Sequence, residues 1–155
     1  MRVFLFTGAA GYIGSHTAFC FLQSLQDCKI VIYDNLSTGF AQNIAYLQEN
    51  FGSRVVFIQG DVGDVAKLDL LMCEYDFYAV VHFAASLIVS ESVSHPLEYY
   101  INNTIKTTQL INLCIKHTIY RFIFSSTAAV YGEPDLALIP IVEKSTPLFP
   151  INPYG

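Results

Sequence analysis

The stretch TGAAGYIGS, residues 7–15, sets Gly8, Gly11 and Gly14 three residues apart, directly after the apolar run at 3–6 and at the start of a helical pattern. A glycine triplet between a strand and a helix is the tightest constraint on what this chain can fold into. The first glycine permits a sharp turn, the second lets the backbone approach a pyrophosphate, and the third lets helix and strand pack closely. The residues between the last two, Tyr12 and Ile13, then offer free N–H groups where the helix dipole favours phosphate.

The rest of the chain repeats the same alternation. Short β-branched or aromatic runs at 3–6, 29–33, 55–58, 78–83 and 121–124 read as strands. Between them, residues 12–26, 41–50, 64–74 and 96–117 carry helical patterns. Strands alternating with helices, each strand an almost unbroken apolar run, predict an α/β fold: a doubly wound parallel sheet of the Rossmann type, with helices on both faces. The pattern at 96–117 is the most regular, since Leu97, Ile101, Ile105, Thr108, Ile111 and Ile115 recur every three or four residues. Pro96 suits that helix's first turn. Residues 77–89 read as a buried strand and its exit loop. Residues 133–153 hold five prolines, which predicts a surface loop.

A length of 155 residues fits one domain, and 53% hydrophobic against 14% charged residues excludes a disordered chain. The net charge is −5 with lysines and arginines scattered, which argues against nucleic acid as a partner. The four cysteines form no CxxC pair, so buried thiols in a reducing cytoplasm are expected, with no metal site and no disulfide framework. No apolar stretch reaches membrane-spanning or signal-peptide length, so neither a membrane partner nor secretion is implied.

Strand two ends in Tyr33-Asp34, and Asp34, with Asn35 beside it, falls about 20 residues after Gly14, where a carboxylate accepts hydrogen bonds from the adenosine ribose. The same carboxylate would repel a 2′-phosphate, and no arginine follows in DNLSTG. The expected cofactor is NAD rather than NADP.

The spacing Gly-x-x-Gly-x-x-Gly resembles the extended short-chain dehydrogenase/reductase superfamily. That resemblance implies that Asp61, at the end of strand three in QGDV, holds the adenine amino group while the Val62 N–H faces a ring nitrogen. A helix N-cap is the alternative reading of Asp61. It further implies that HFAAS lines the cofactor at the end of strand four, with Phe83 and the small Ala84 and Ala85 letting the chain pass close to ribose and pyrophosphate. ESVSHPLEYYINN, FIFSSTAAVYGEP and NPYG narrow the likeness, over the whole chain, to the UDP-glucose 4-epimerase family. By that resemblance Asn103 reaches the cofactor.

The reaction it implies interconverts UDP-galactose and UDP-glucose through a transient 4-keto sugar, with Tyr154 taking the C4 hydroxyl proton and Thr127 sharing a hydrogen bond with that hydroxyl. Ionising a free tyrosine at neutral pH costs about 4 kcal/mol. The family offsets that cost with a lysine four residues on, a position past Gly155. Ala128 and Ala129 stand where the related 4,6-dehydratases usually carry acidic residues, which favours a 4-epimerase. Two departures concern the cofactor: Leu87 and Ser90 stand where some epimerases have lysine and glycine.

The resemblance also implies that residues 1–155 are the N-terminal part of a longer enzyme, truncated relative to the family. The sheet would then be incomplete on its C-terminal side, a sugar-nucleotide domain would lie outside this sequence, and residues 1–155 alone would be inactive. It implies a homodimer in the cytoplasm. Two other readings stand beside the epimerase: a non-catalytic NAD-binding fragment, and a related NAD-dependent epimerase, dehydratase or decarboxylase of another nucleotide sugar.

Overall fold

The computed structural model describes residues 1–155. Five strands form one open parallel sheet: β1 (Arg2–Thr7), β2 (Cys28–Asp34), β3 (Val55–Gln59), β4 (Phe77–His82) and β5 (Phe122–Phe124), in the spatial order β3-β2-β1-β4-β5. The helices are α1 (Tyr12–Ser24), α2 (Ala41–Phe51), α3 (Val65–Glu74), α4 (Val89–Ser94), α5 (Pro96–Tyr99) and α6 (Lys106–Lys116). The expected doubly wound α/β fold is what forms. Strand order reverses on either side of β1, so its carboxyl end is the place where such a sheet opens a crevice for a ligand.

Alternation along each strand feeds two cores. Phe4 and Phe6 of β1, with Ile30 and Ile32 of β2, pack with Ala18, Leu22, Ile44 and Leu47 of α1 and α2. Leu5, Val31, Tyr33 and Val80 point the other way and pack with Leu68, Leu71, Leu110 and Leu113 of α3 and α6. Each fully buried side chain of this size is worth roughly 1.5–3 kcal/mol, so a register slip of one residue would reverse both faces at once.

The chain divides into two compact units. The first comprises Met1–Ala85 and Lys106–Ser125 and contains the whole sheet; the second comprises Ser86–Ile105 and Ser126–Gly155. In the second, Tyr99 is buried, its hydroxyl donating to Glu91 at 2.6 Å and accepting from the Ile88 N–H at 2.9 Å. Its proline-rich part, residues 133–153, has no regular structure beyond one 3-10 turn, Leu136–Leu138, in keeping with the expected loop.

Four expectations are corrected. The single helix at 96–117 is three segments, because a π-helical stretch, Tyr100–Ile105, separates α5 from α6. Asparagine is a poor α-helix former, and within that stretch Asn102 and Asn103 both turn their amides onto Ser86. The isoleucine stripe is not the core face either: Leu97, Ile101, Ile105, Ile111 and Ile115 are exposed, while α6 buries Leu110, Leu113 and Cys114. Helix α4 starts at Val89, the last residue of the expected exit loop, and continues to Ser94 where the sequence pattern predicts no helix. Its serines and valines have little helix propensity, and it is held through Glu91 by Tyr99. Finally, Cys28 and Cys114 are buried, but Cys20 and Cys73 are exposed.

Candidate dinucleotide site and acid–base residues

Every residue expected to hold the cofactor, except Asn103, lies in the first unit, at the carboxyl ends of β1 to β4. Gly8 has φ +73°, and a β-carbon there would stand 2.4 Å from the Ala84 nitrogen and 2.7 Å from the Phe83 carbonyl carbon. The glycine turn and the Phe83-Ala84-Ala85 segment are therefore pressed backbone to backbone. The Phe83 N–H donates to the Thr7 carbonyl at 2.9 Å and so continues the β1–β4 pairing past the strand ends. Gly14 serves packing, since a β-carbon on it would lie 2.6 Å from the Ala9 Cα.

Gly11 is the N-cap of α1 and has no side chain to cap it, and the first turn carries no acidic residue. Tyr12 and Ile13 in that turn are exposed. An α-helix leaves its first N–H groups without intrahelical partners, and here they are left open to an anion. Glycine turn, bare helix end and small Ala84 and Ala85 together fit a dinucleotide pyrophosphate.

Asp34 lies almost buried beneath the turn. Its Oδ2 accepts from the Ala10 N–H at 2.9 Å and its Oδ1 from the Leu36 N–H at 2.8 Å. Each oxygen keeps a second lone pair, which suits a pair of ribose hydroxyls. Asn35 bridges outward: its Oδ1 accepts from the Ser37 N–H, and its Nδ2 donates to Asp61 at 2.9 Å.

Asp61 does not cap α3; Asp64 does, accepting from the Lys67 N–H at 3.0 Å. Instead Asp61 takes the Gly63 N–H at 2.7 Å and forms an ion pair with Lys106 at 2.7 Å. Burial alone would raise the Asp61 carboxyl, but the bonds from Lys106, Gly63 and Asn35 outweigh it and hold it below the usual carboxylate value. Sequence reasoning missed Lys106. Its place at the junction of the π stretch and α6 carries no motif, and only the three-dimensional path brings it to Asp61. Val62 is buried in the core beside α3.

His82, at the end of β4, was likewise absent from the expected set. It is fully buried between Thr7 Oγ1, 2.5 Å from Nδ1, and Thr107 Oγ1, 2.8 Å from Nε2. Burial pushes its pKa down to about 4, so it is neutral at physiological pH. It fixes the residue immediately before Gly8.

The remaining candidates belong to the second unit. Asn103 clasps Ser86 with both amide atoms, its Oδ1 accepting from the Ser86 N–H and its Nδ2 donating to the Ser86 carbonyl, each at 2.8 Å. Thr127 caps a short 3-10 turn, Ala128–Tyr131, by accepting from the Ala129 N–H at 3.1 Å. Accepting that bond leaves the Thr127 O–H able to donate. Tyr154 meets Tyr99 edge-on, ring centres 6.3 Å apart. The Gly155 backbone, next to Tyr154, packs on the Ala129 carbonyl, so closely that a β-carbon there would stand 2.6 Å away. The two candidate acid–base residues are thus carried by segments in contact. Leu87 is exposed, and no cluster of histidine, cysteine or acidic residues forms a metal site. No helix is long and apolar enough to cross a membrane.

A family model described as GDP-mannose 4,6 dehydratase matches residues 5–155. Among individual relatives, the UDP-glucose 4-epimerase of Halalkalibacterium halodurans is 44% identical over 151 residues, covering 97% of this chain and 41% of the relative. Among solved structures, the UDP-Glc/GlcNAc 4-epimerase of Campylobacter jejuni superposes with a TM-score of 0.90 at 45% identity, over 100% of this chain and 45% of the other. The UDP-glucose 4-epimerase of Brucella ovis, solved in complex with NAD, gives 0.86 at 40% identity, over 99% of this chain and 43% of the other. The chain thus spans less than half the length of the relatives it matches.

Proposed function

The chain belongs to the GDP-mannose 4,6-dehydratase family, and from that premise we propose that it is the NAD-binding part of a UDP-sugar 4-epimerase, with UDP-glucose and UDP-galactose as its first-choice pair. The observation that carries the NAD assignment is Gly8 pressed against Ala84 with the buried Asp34 carboxylate beside the turn. The turn and the open end of α1 hold the pyrophosphate, Asp34 the adenosine ribose, and Asp61 with the Val62 N–H the adenine. A carboxylate at Asp34 selects NAD over NADP, because a 2′-phosphate would meet a like charge in a largely dehydrated position.

NAD, when bound, supplies reversible hydride acceptance, so that a hydrogen leaves and returns to C4 without net redox change. Tyr154 takes the proton of the C4 hydroxyl and gives it back on the return step. Thr127, whose oxygen is oriented by the Ala129 N–H, donates to the reacting oxygen and shortens the proton's path. Asn103 keeps the Ser86 backbone fixed. Ala128 and Ala129, which follow Thr127, offer neither acid nor base for removing water. That favours epimerisation over dehydration inside a family whose model is described by a dehydratase.

The exposed isoleucines of α6 support a homodimer, and the composition a cytoplasmic setting. The deciding experiment uses the longer enzyme that carries this chain, because residues 1–155 alone are expected to be inactive; it presents UDP-glucose, UDP-galactose and their N-acetylhexosamine counterparts and separates the products. A 4-epimer of unchanged mass supports the reading. A product lighter by one water identifies a dehydratase, and NAD binding without turnover of any UDP-sugar identifies a non-catalytic module.

A further inference from the structure

This inference rests on the reading of Asp61 as the carboxylate that meets adenine. A carboxylate offers about four lone-pair positions. Three are filled from inside the protein: Oδ1 accepts from the Gly63 N–H and from Lys106 Nζ, each at 2.7 Å, and Oδ2 accepts from Asn35 Nδ2 at 2.9 Å. The remaining position is on Oδ2. Lys106, the first residue of α6, reaches this point along a stem that passes Gly63 so closely that a β-carbon there would stand 2.9 Å from its Cε. Its side chain is only 24% exposed, so the ammonium is partly withdrawn from solvent and its contact with Asp61 is correspondingly less screened.

We propose that Lys106 is a positioning residue for purine recognition: its ammonium holds the Asp61 carboxylate ionised and in one rotamer, so that a single acceptor on Oδ2 is left for the exocyclic amino group of the adenine. Asn35 and Gly63 fix the carboxylate's orientation, and Lys106 is the only cation among its partners. The other ionisable groups on the flanking elements are Asp64 at the start of α3, Tyr33, whose hydroxyl donates to the Asp61 carbonyl, and Lys67, which donates to the Gln59 carbonyl. None of these three donates to the Asp61 carboxylate. Without Lys106 the carboxylate loses its one cationic partner, and burial then weighs more heavily against its charged form.

The test compares the wild-type protein with Lys106→Met, which keeps the stem over Gly63, and Lys106→Arg, which restores a cation. NAD affinity is titrated by calorimetry from acid to neutral pH, and the Asp61 carboxyl is titrated by carbon NMR without NAD. Lys106→Met should weaken NAD binding about 5-fold at pH 7, as for loss of a half-exposed charge-assisted bond. It should also move the acid limb of the affinity profile, and the Asp61 titration, to higher pH, while Lys106→Arg moves both back. Asp34 is common to all three proteins, so the difference between profiles isolates Asp61. An unchanged affinity in Lys106→Met overturns the inference. So does a weaker affinity with an unmoved acid limb, since that marks a residue of merely structural importance. A wild-type protein that binds no NAD overturns the underlying reading of Asp61, a result distinct from either.

Discussion

A β-carbon on Gly8 would stand 2.4 Å from the backbone nitrogen of Ala84. Neither partner can yield, because both are main chain and the Phe83 N–H is already bonded to the Thr7 carbonyl. Gly8→Ala therefore combines a backbone clash with a left-handed φ of +73°, and the expected loss is about 3 kcal/mol or more of stability. Gly52→Ala is the control: its φ is +55° but nothing lies within 4 Å of the added carbon. At φ +55° and ψ −131° strain alone costs about 1–3 kcal/mol there. Urea denaturation of the two variants separates clash from strain, and equal losses would refute the tight approach.

Asp34 accepts from both Ala10 and Leu36, so Asp34→Ala strands two N–H donors and removes the charge that excludes a 2′-phosphate. NAD affinity should fall by one to two orders of magnitude, as for the loss of charge-assisted hydrogen bonds worth about 1.5–3 kcal/mol. NADP affinity should fall less, so the ratio between the two cofactors narrows. Parallel fluorescence titrations read both, and a wild-type protein that prefers NADP would contradict the assignment.

His82 gives stability a pH dependence of definite sign. Its folded pKa of about 4 lies below the ordinary 6.5, so between those values the unfolded chain binds more protons than the folded one. Stability is complete above pH 6.5 and falls as the pH drops towards 4, by roughly 3 kcal/mol in all at 1.36 kcal/mol per pKa unit. His82→Gln keeps a hydrogen-bonding side chain between Thr7 and Thr107 but cannot titrate. Its denaturation midpoint should be lower at pH 7 yet change less between pH 7 and pH 4.5 than the wild type's. Parallel slopes would show that His82 is not the titrating group.

How far the sequence foretold this molecule depends on which physical signal each element sends. The five strands and helices α1 to α3 are announced by local composition, because buried strands must be apolar and their ends need glycine or aspartate. The glycine turn is legible for the same reason: its conformation demands a residue type. The stretch between residues 88 and 105 was not legible. Helix α4 is tied to Tyr99 through Glu91, and the π stretch coincides with two asparagines bonded to Ser86, contacts that no local pattern encodes. In α6, Leu110, Leu113 and Cys114 form one apolar stripe and Ile111 and Ile115 another. Periodicity cannot say which of two stripes meets the sheet. Lys106, in a polar stretch, and His82, a lone polar residue in an apolar run, send no signal until their partners are known.

Ile111 and Ile115, one turn apart on α6, are 40% and 61% exposed, an unusual placement for two β-branched apolar residues on a helix with a separate buried face. If they serve a second copy of the chain, Ile111→Glu combined with Ile115→Glu should shift the sedimentation coefficient from a dimer to a monomer at micromolar concentration. The variant's denaturation midpoint, measured where both proteins are monomeric, should change by less than about 0.5 kcal/mol, as for substitutions at exposed positions. A wild-type protein that sediments as a monomer would remove the homodimer from the proposal.

Tyr154 and Thr127 make the sharpest functional test, because both lie in the second unit while the glycine turn, Asp34 and Asp61 lie in the first. Tyr154→Phe removes only the hydroxyl and leaves the ring in place against Tyr99. Loss of a general acid–base group lowers turnover by about 10²–10⁴-fold, and NAD affinity should hold within about twofold, because no cofactor contact is assigned to that hydroxyl. Thr127→Ser keeps the oxygen that accepts from Ala129 and should remain active. Thr127→Val leaves the Ala129 N–H without its partner and removes the donor to the sugar, so turnover should drop while the product stays a 4-epimer. The nature of the product adds an independent arm. With alanine at both 128 and 129 there is no side chain to carry a proton between C5 and C6, so no variant in this series should release a 4-keto-6-deoxy sugar. Mass spectrometry of the reaction mixture decides: product of substrate mass with activity lost in Tyr154→Phe sustains the epimerase mechanism, whereas full activity in that variant would require another residue to take the C4 hydroxyl proton.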